Sequence, residues 1–191
     1  MELSKITQVL SGYISRGKIE ARTNGTHFLV QARDVDIDKF DYCSNDLIRF
    51  DPDLSGKDKL LEKGDILFMA RGAHNFSVLL ETIPNHSLAA ACFFIIRATD
   101  ASVLPKYLYW YLNQPSVEQY LHLYSGKGVH MPVVRRAVLE AIDVPLPPLE
   151  VQKKIAALDA LQHQEQELLE QLVQNRRKMI TAACLKAIQG K

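Results

Sequence analysis

A stiff, proline-rich segment that runs directly into a long helix is the feature that most constrains this chain. Residues 142–148 read Ile-Asp-Val-Pro-Leu-Pro-Pro, no proline follows them, and the next glycine is Gly190. Proline fixes φ, so it suits an extended segment or the first turn of a helix. The sequence therefore predicts a compact domain over residues 1–148, followed by one long helix over residues 149–191.

The predicted helix carries an apolar stripe that a domain of this size cannot fully cover. About forty helical residues span roughly 60 Å, whereas a domain of about 150 residues has a radius of gyration near 15 Å. We therefore expect a coiled coil with a second copy of the chain, a homodimer; packing on its own domain is the alternative. A polar residue in such a seam can set its register. The seam residues are Leu158, Leu161, Leu168, Leu172, Asn175 and Met179.

Strand patterns dominate the first hundred residues, and helix patterns dominate the rest. This order predicts an α+β fold, a compact mixed domain, rather than alternating α/β units. The helical spacing of Leu3, Ile6, Val9 and Leu10 predicts a short opening helix or turn. Predicted strands cover residues 26–35, 46–50, 66–70, 76–83 and 88–97, and predicted helices cover 105–112, a segment capped by Ser116, and 135–141.

Charge is nearly balanced over the chain but uneven along it. The formal net charge is +1; residues 1–33 hold five basic and two acidic residues, whereas residues 34–65 hold five basic and ten acidic ones. A nucleic-acid-binding face must therefore be local and must turn the acidic segment away. Three widely spaced cysteines suggest neither a zinc site nor a disulfide framework and fit the cytoplasm. The longest apolar run, residues 88–96, is too short for a spanning helix, which needs about 20 residues.

The sequence contains no organised catalytic motif. It has neither GxGxxG nor GxxxxGK[ST], and no serine lies in a nucleophile elbow. The six histidines show no i,i+4 pair that would suit a metal on one helix face. We therefore expect a protein that is not an enzyme and that has no catalytic residue, metal ion or cofactor.

A polar turn after a predicted buried strand is a candidate for contacts to DNA bases. It contains Arg71, His74 and Asn75, whose side chains can form hydrogen bonds to base edges, with Gly72 allowing close approach. An ordinary exposed turn is the equally simple interpretation of the same residues.

Two other basic segments are candidates for contacts to DNA phosphates. Residues 122–136 contain no acid but include Lys127, Arg135 and Arg136, and an earlier turn contains Arg16 and Lys18. Flexible connectors with solvated charges are the alternative. An aromatic set over residues 107–111 resembles a base-stacking surface, but its helical spacing favours a core and its rim.

Five motifs in order resemble the specificity subunits of type I restriction–modification enzymes. The proline joint and the following helix resemble the end of a module in that family, which reads IPLPPLEEQ-K-IA. Residues 61–67, Leu-Glu-Lys-Gly-Asp-Ile-Leu, resemble its L-x-x-G-D-I-L step. The other matching segments are residues 3–12, 28–35 and 104–112.

The resemblance implies a non-catalytic subunit that binds double-stranded DNA and selects the site for a methyltransferase (M) subunit. In type I systems it also implies a restriction (R) subunit, a motor–nuclease. A full specificity subunit has two recognition domains and two long helices packed antiparallel, so this chain resembles half of one. Two copies related by a two-fold axis restore the full arrangement. The alternative is a helical adaptor or scaffold that binds protein partners without DNA.

Overall fold

The computed structural model describes residues 1–15, 17–37, 41–42, 47–53, 59–72, 74–124 and 133–188. The chain divides into two compact units, Met1–Lys153 and Lys154–Lys191. Strands precede helices, so the predicted α+β class with a long C-terminal helix is confirmed. The strands are β1 (Thr7–Ser11), β2 (His27–Val30), β3 (Val35–Asp36), β4 (Asp41–Tyr42), β5 (Ile48–Phe50), β6 (Ile66–Met69), β7 (Ser77–Leu79), β8 (Ser87–Ala89) and β9 (Phe93–Ala98). The α-helices are α1 (Pro105–Leu112), α2 (Pro115–Tyr124), α3 (Arg136–Glu140) and α4 (Leu149–Ile188).

An antiparallel four-stranded sheet in the order β1-β9-β6-β7 forms the centre of the first unit. Every residue of β6 is buried, which fits a strand flanked on both edges and covered on both faces. Leu67, Val78 and Ile95 lie in one apolar cluster and are at most 1% exposed. The burial of every residue of β6, and of Ala70 after it, explains why the sequence has an unbroken apolar run at residues 66–70.

A smaller sheet, β5-β2-β8, lies beside the first and contains the one parallel pair among the described strands, β2 with β8. The two sheets meet where Tyr13 pairs with Ala90. Gly12 is required at this junction, because an added Cβ would lie 2.2 Å from the carbonyl oxygen of Ala90. A short β3–β4 ribbon completes the described strands.

The prediction of one strand over residues 88–97 was wrong, because the chain turns in its middle. β8 ends at Ala89, β9 begins at Phe93, and the Phe93 amide donates to the Ala90 carbonyl across the turn, at 3.0 Å. The two strands belong to different sheets. The three alanines at positions 89–91 are small, so they bury little apolar surface whether the chain turns here or continues as a strand. The apolar run alone therefore could not show the break.

The predicted opening helix or turn is present as a short turn. A 3-10 turn covers Leu3–Lys5, and β1 follows at once. All four residues of the apolar spacing are buried: Leu3, Ile6, Val9 and Leu10. The spacing therefore marked buried positions, but Val9 and Leu10 lie in β1 and not in the turn. α2 likewise begins at Pro115 rather than after a Ser116 cap, since proline suits the first helical position.

A buried ion pair joins β9 to the turn that precedes β6. Asp65 is 1% exposed, and its carboxylate accepts hydrogen bonds from Arg97 Nε and Nη2, each at 2.7 Å. These bonds raise the pKa of Arg97 further. Gly64 has φ of +92°, a conformation that suits glycine, and it allows the turn that places Asp65 here.

Most of the large apolar side chains along α4 are exposed. Leu161 and Leu168 of the predicted seam are 61% and 58% exposed. Val173 and Ile180, which are not among the predicted seam residues, are exposed as well. The apolar stripe is therefore broader than the sequence frame suggested. The other exposed seam residues are Leu158, Leu172, Asn175 and Met179.

Candidate functional site

Strand register brings several connecting segments to one end of the four-stranded sheet. Ser11, at the end of β1, lies opposite Phe94 near the start of β9, and Met69, at the end of β6, lies opposite Phe93. Ser77, at the start of β7, lies opposite Phe68. The segments that follow β1 and β6, and those that precede β7 and β9, therefore leave the sheet together. We call this the loop end.

Two basic segments that are far apart in sequence meet at the loop end. Arg71 forms an antiparallel bridge with Val133, and the Val134 amide donates to the Ala70 carbonyl at 3.0 Å. Arg135 follows directly and is exposed. The segment before α3 thus adds a short extended stretch beside the end of β6, which places the backbones of two predicted DNA-contacting segments side by side.

The three candidate base-contacting residues differ in exposure and in hydrogen-bond partners. Arg71 and His74 are exposed, and neither has an ion pair among the described residues. Asn75 is half-buried, and its Nδ2 donates to the Met69 carbonyl at 2.8 Å. Asn75 therefore holds the loop in shape. Gly72 is not needed for packing, since an added Cβ would meet nothing closer than Met69 Cγ at 3.4 Å.

The candidate phosphate-contacting residues are also unequal. Arg136 forms an ion pair with Glu140 one turn later, at 2.7 Å, which partly neutralises its charge locally. Arg135, the N-cap of α3, forms no ion pair among the described residues. Lys18 is exposed, in the segment that leaves β1 at the loop end. Arg16 and Lys127 lie outside the described residues.

A shallow depression lies beside His74 and Asn75. Its floor includes Phe76, Leu112 and Leu121. Glu118 and Gln114 contribute to its polar rim. The Glu118 carboxylate opposes phosphate binding in the depression itself.

Cys92 also lies at the loop end, and its carbonyl accepts hydrogen bonds from the amides of Ala70 and Arg71 at 2.9 and 3.3 Å. Burial raises the pKa of its thiol, and the nearby Arg71 charge offsets only part of that effect. The thiol therefore stays protonated near neutral pH and acts as a packing group.

The opposite end of the sheet holds the proline joint. The Leu3 amide donates to the Ile142 carbonyl at 2.8 Å, just before β1 begins. Tyr107 and Tyr111 of α1 donate their hydroxyls to the carbonyls of Pro145 and Asp143, at 2.7 and 2.9 Å. The aromatic set on α1 therefore serves packing and the joint, as its spacing indicated. Burial raises the pKa of both phenols.

Two features of the first unit escaped the sequence reasoning. Tyr120 and Tyr124 pair their rings at the end of α2, with centroids 4.7 Å apart, and Tyr124 is 62% exposed. Their i,i+4 spacing was a signal that could have been used. Arg49 lies over the ring of Phe28 at 4.6 Å, a contact between strands that only their pairing reveals.

Among the described residues, no group of three or more histidine, cysteine or acidic side chains is arranged to hold a metal ion. Within the same part of the chain, no helix combines the length and the apolar character needed to span a bilayer.

Solved structures of similar fold come from type I restriction–modification systems. The HsdS subunit of Thermoanaerobacter tengcongensis matches with a TM-score of 0.63 and 20% identity, over 88% of this chain and 43% of that one. The S subunit of the type I system of M. genitalium matches with a TM-score of 0.57 and 14% identity, over 93% and 42% of the two chains. A chain from a structure on complex assembly and conformational transition of the type I system gives 0.58 and 19%, over 88% and 39%.

These structural likenesses establish the fold, and this chain spans less than half the length of each relative. No match was found among curated protein sequences. A family model provides the sequence-level evidence. The model for the type I restriction modification DNA specificity domain matches residues 30–175, more than half of the 191 residues. The chain therefore belongs to the family of type I restriction modification DNA specificity domains.

Proposed function

We propose that this chain is a non-catalytic, sequence-specific DNA-recognition subunit. It directs a partner adenine methyltransferase to a two-part DNA site, and, in a system that has one, a motor–nuclease as well. Residues 1–148 act as the recognition domain, and residues 149–191 serve dimerisation and partner docking. Family membership supports the class of function, and the loop end supports its location.

The observation that carries the proposal is the bridge between Arg71 and Val133. It brings two basic segments, each a candidate DNA contact on sequence grounds alone, into one surface. Arg71 and Arg135 have no ion pair among the described residues, so both charges are available to an anion. The alternative interpretation, an ordinary exposed turn, does not explain why a second basic segment pairs with this one.

The proposed contacts to DNA bases and to DNA phosphates have different consequences for binding. Arg71 and His74 are proposed to contact base edges, with Asn75 shaping the loop and offering its side-chain oxygen. Arg135, Arg136 and Lys18 are proposed to contact phosphates, together with Arg16 and Lys127. Phosphate contacts set position and affinity, whereas contacts to base edges in the major groove distinguish sequences.

The exposed stripe of α4 supports an antiparallel dimer through residues 150–189. Under a two-fold axis, both recognition domains are identical, so the preferred DNA carries two inverted copies of one half-site. The length of the paired helices sets the gap. Because the net charge is only +1, non-specific attraction to DNA is weak, and the methyltransferase supplies part of the grip.

Selection from a random DNA library, with the methyltransferase bound, tests the proposal. Two inverted half-sites at a fixed spacing are the expected result, and affinity should fall with salt as phosphate contacts are released. A selection that returns no two-part motif would overturn the assignment. Salt-independent or absent DNA binding, with retained binding of the protein partner, would favour a helical adaptor instead.

A further inference from the structure

Gln152 is a fully buried polar residue in the first turns of α4. It is 0% exposed, and both functional groups of its amide are engaged. The Oε1 atom accepts a hydrogen bond from the Leu104 amide at 2.9 Å. The Nε2 atom donates to the carbonyls of Ser102 and Pro147, each at 2.8 Å. Both amide hydrogens and the oxygen are therefore satisfied, which is the condition for burying such a group without a large cost.

These three partners belong to different parts of the chain. Ser102 and Leu104 lie between β9 and α1, whereas Pro147 belongs to the joint. Gln152 itself lies in α4, where its backbone amide bonds to Pro148. One side chain thus ties the start of the long helix to the joint behind it and to the segment that leads into α1.

The tyrosines of α1 hold the preceding part of the joint in the same way. Tyr107 and Tyr111 bond to the carbonyls of Pro145 and Asp143. Proline restricts φ at three positions of this segment, and side-chain hydrogen bonds fix it against α1. The joint is therefore fixed by covalent restriction and by specific polar contacts, up to and including the first turns of α4.

Only glutamine provides this set of hydrogen bonds at this length. Glutamate places a negative oxygen against the carbonyls of Ser102 and Pro147. Methionine fills a similar volume but leaves the Leu104 amide and both carbonyls without their partner. Neither replacement changes the helix propensity of the site much, since all three residues are good helix formers.

We propose that Gln152 is a positioning residue that fixes the direction in which α4 leaves the recognition domain. Through α4, and resting on the function proposed above, it limits the range of half-site spacings that a dimer can bind. Gln152 contacts no DNA in this account. Its loss leaves the half-site sequence unchanged and weakens the discrimination between spacings.

The first test needs no DNA. Spin labels are attached at Gln8→Cys, an exposed position on β1, and at Glu167→Cys on α4. Labelled chain is diluted with excess unlabelled chain, so that only distances within one chain are measured. The natural cysteines to be replaced by alanine in this background are Cys43, Cys92 and Cys184.

We expect a narrow distance distribution for the wild-type joint and a broad one for Gln152→Met. Val78→Ala, a change in the core far from the joint in sequence, serves as a control for general loss of stability and should stay narrow. A Gln152→Met distribution as narrow as that of the wild type would overturn the proposal. So would a wild-type distribution that is already broad, or a Val78→Ala distribution that broadens equally.

The second test uses duplexes that carry the selected half-sites at spacings changed one base pair at a time. We expect Gln152→Met to lose the preference for one spacing while keeping the half-site preference. At neutral pH, Gln152→Glu should lose the spacing preference as Gln152→Met does. At acidic pH it should regain part of the spacing preference, because the introduced carboxyl is then protonated and can donate to one carbonyl. An unchanged spacing preference in both variants contradicts the proposal. If the wild type selects no two-part site, the proposed function fails, and the spin-label result still decides the role of Gln152.

Discussion

The two units of this chain treat the same residue types in opposite ways. In the first unit, Leu67 and Ile95 are almost completely buried in the four-stranded sheet. In the second unit, Leu161 and Leu168 are 61% and 58% exposed. The comparison indicates that the first unit buries its apolar side chains within the chain, whereas the second leaves its leucines exposed, which is the pattern that the proposed dimer would cover.

This difference in burial predicts a different dependence on protein concentration for the two units. Stability of the first unit should not depend on protein concentration, because its core closes within one chain. If α4 dimerises as proposed, order and burial along it should depend on protein concentration, because association would supply them.

The largest effect is expected from Leu161→Glu combined with Leu168→Glu. Each leucine buried in a dimer seam contributes about 1.5–3 kcal/mol, and a two-fold dimer loses four of them, so the double substitution should weaken association by about 6–12 kcal/mol. Sedimentation equilibrium should show a folded monomer with an unchanged thermal midpoint for the first unit. Gln174→Glu with Thr181→Glu adds the same charge at exposed positions outside the apolar stripe and should leave the dimer intact. A wild type that is monomeric at tens of micromolar would assign the stripe to a different protein instead.

Asp65→Ala should strongly destabilise the first unit at any protein concentration. It leaves Arg97 without its buried partner, which we expect to cost about 3 kcal/mol in the free energy of unfolding by urea. Glu62→Gln is the matched control, since Glu62 also pairs with Arg97 but is 64% exposed, and it should cost less than about 1 kcal/mol. Equal effects from the two substitutions would contradict the role assigned to the buried pair.

Arg71→Ala should narrow the affinity gap between the selected site and random DNA by about 1–3 kcal/mol for each half-site, the usual worth of a bidentate contact to guanine. Arg135→Ala is its counterpart at the same end of the sheet. It should weaken binding to all sequences alike and reduce the salt dependence by about 0.9 units of slope for each half-site, about 1.8 for the dimer. Competition binding at several salt concentrations measures both. If Arg71→Ala also lowers both affinities equally, Arg71 contacts a phosphate.

The smallest effect concerns the tyrosines at the joint. Burial raises the pKa of Tyr107 and Tyr111, so the folded chain holds their protons more tightly than the unfolded chain does. Their contribution is therefore fully present below the unfolded pKa of about 10 and is lost as pH rises through the folded pKa. Tyr107→Phe should cost about 1 kcal/mol at neutral pH and reduce the loss at alkaline pH. Urea titrations at the two pH values test this, and an alkaline loss unchanged by Tyr107→Phe would contradict it.

The sequence was most informative where structure is set locally. The prolines before Leu149 and the absence of later breakers predicted the start of α4, and Gly64 with Asp65 marked the turn before β6. It was least informative where distant segments compete. The bend at Ala90 depends on pairing with Tyr13 and Val30, which no local pattern records.

The candidate site shows the same limit. The polarity of Arg71 and Arg135 could be read from the sequence, and each segment was chosen separately as a DNA contact. Their meeting at the loop end depends on the bridge to Val133, a long-range pairing. Gln152 could be read as a polar helix residue and as the Q of the family phrase, but its burial could not, because that depends on the segment before α1.

Deleting one heptad, residues 165–171, from α4 tests most directly the claim that the first unit reads DNA and the helix sets the gap. Seven residues shorten a helix by about 10.5 Å, which corresponds to about three base pairs at 3.4 Å each. Library selection with the methyltransferase bound should return the same half-sites with a gap shorter by about three base pairs. The same half-sites at the original gap would contradict the account.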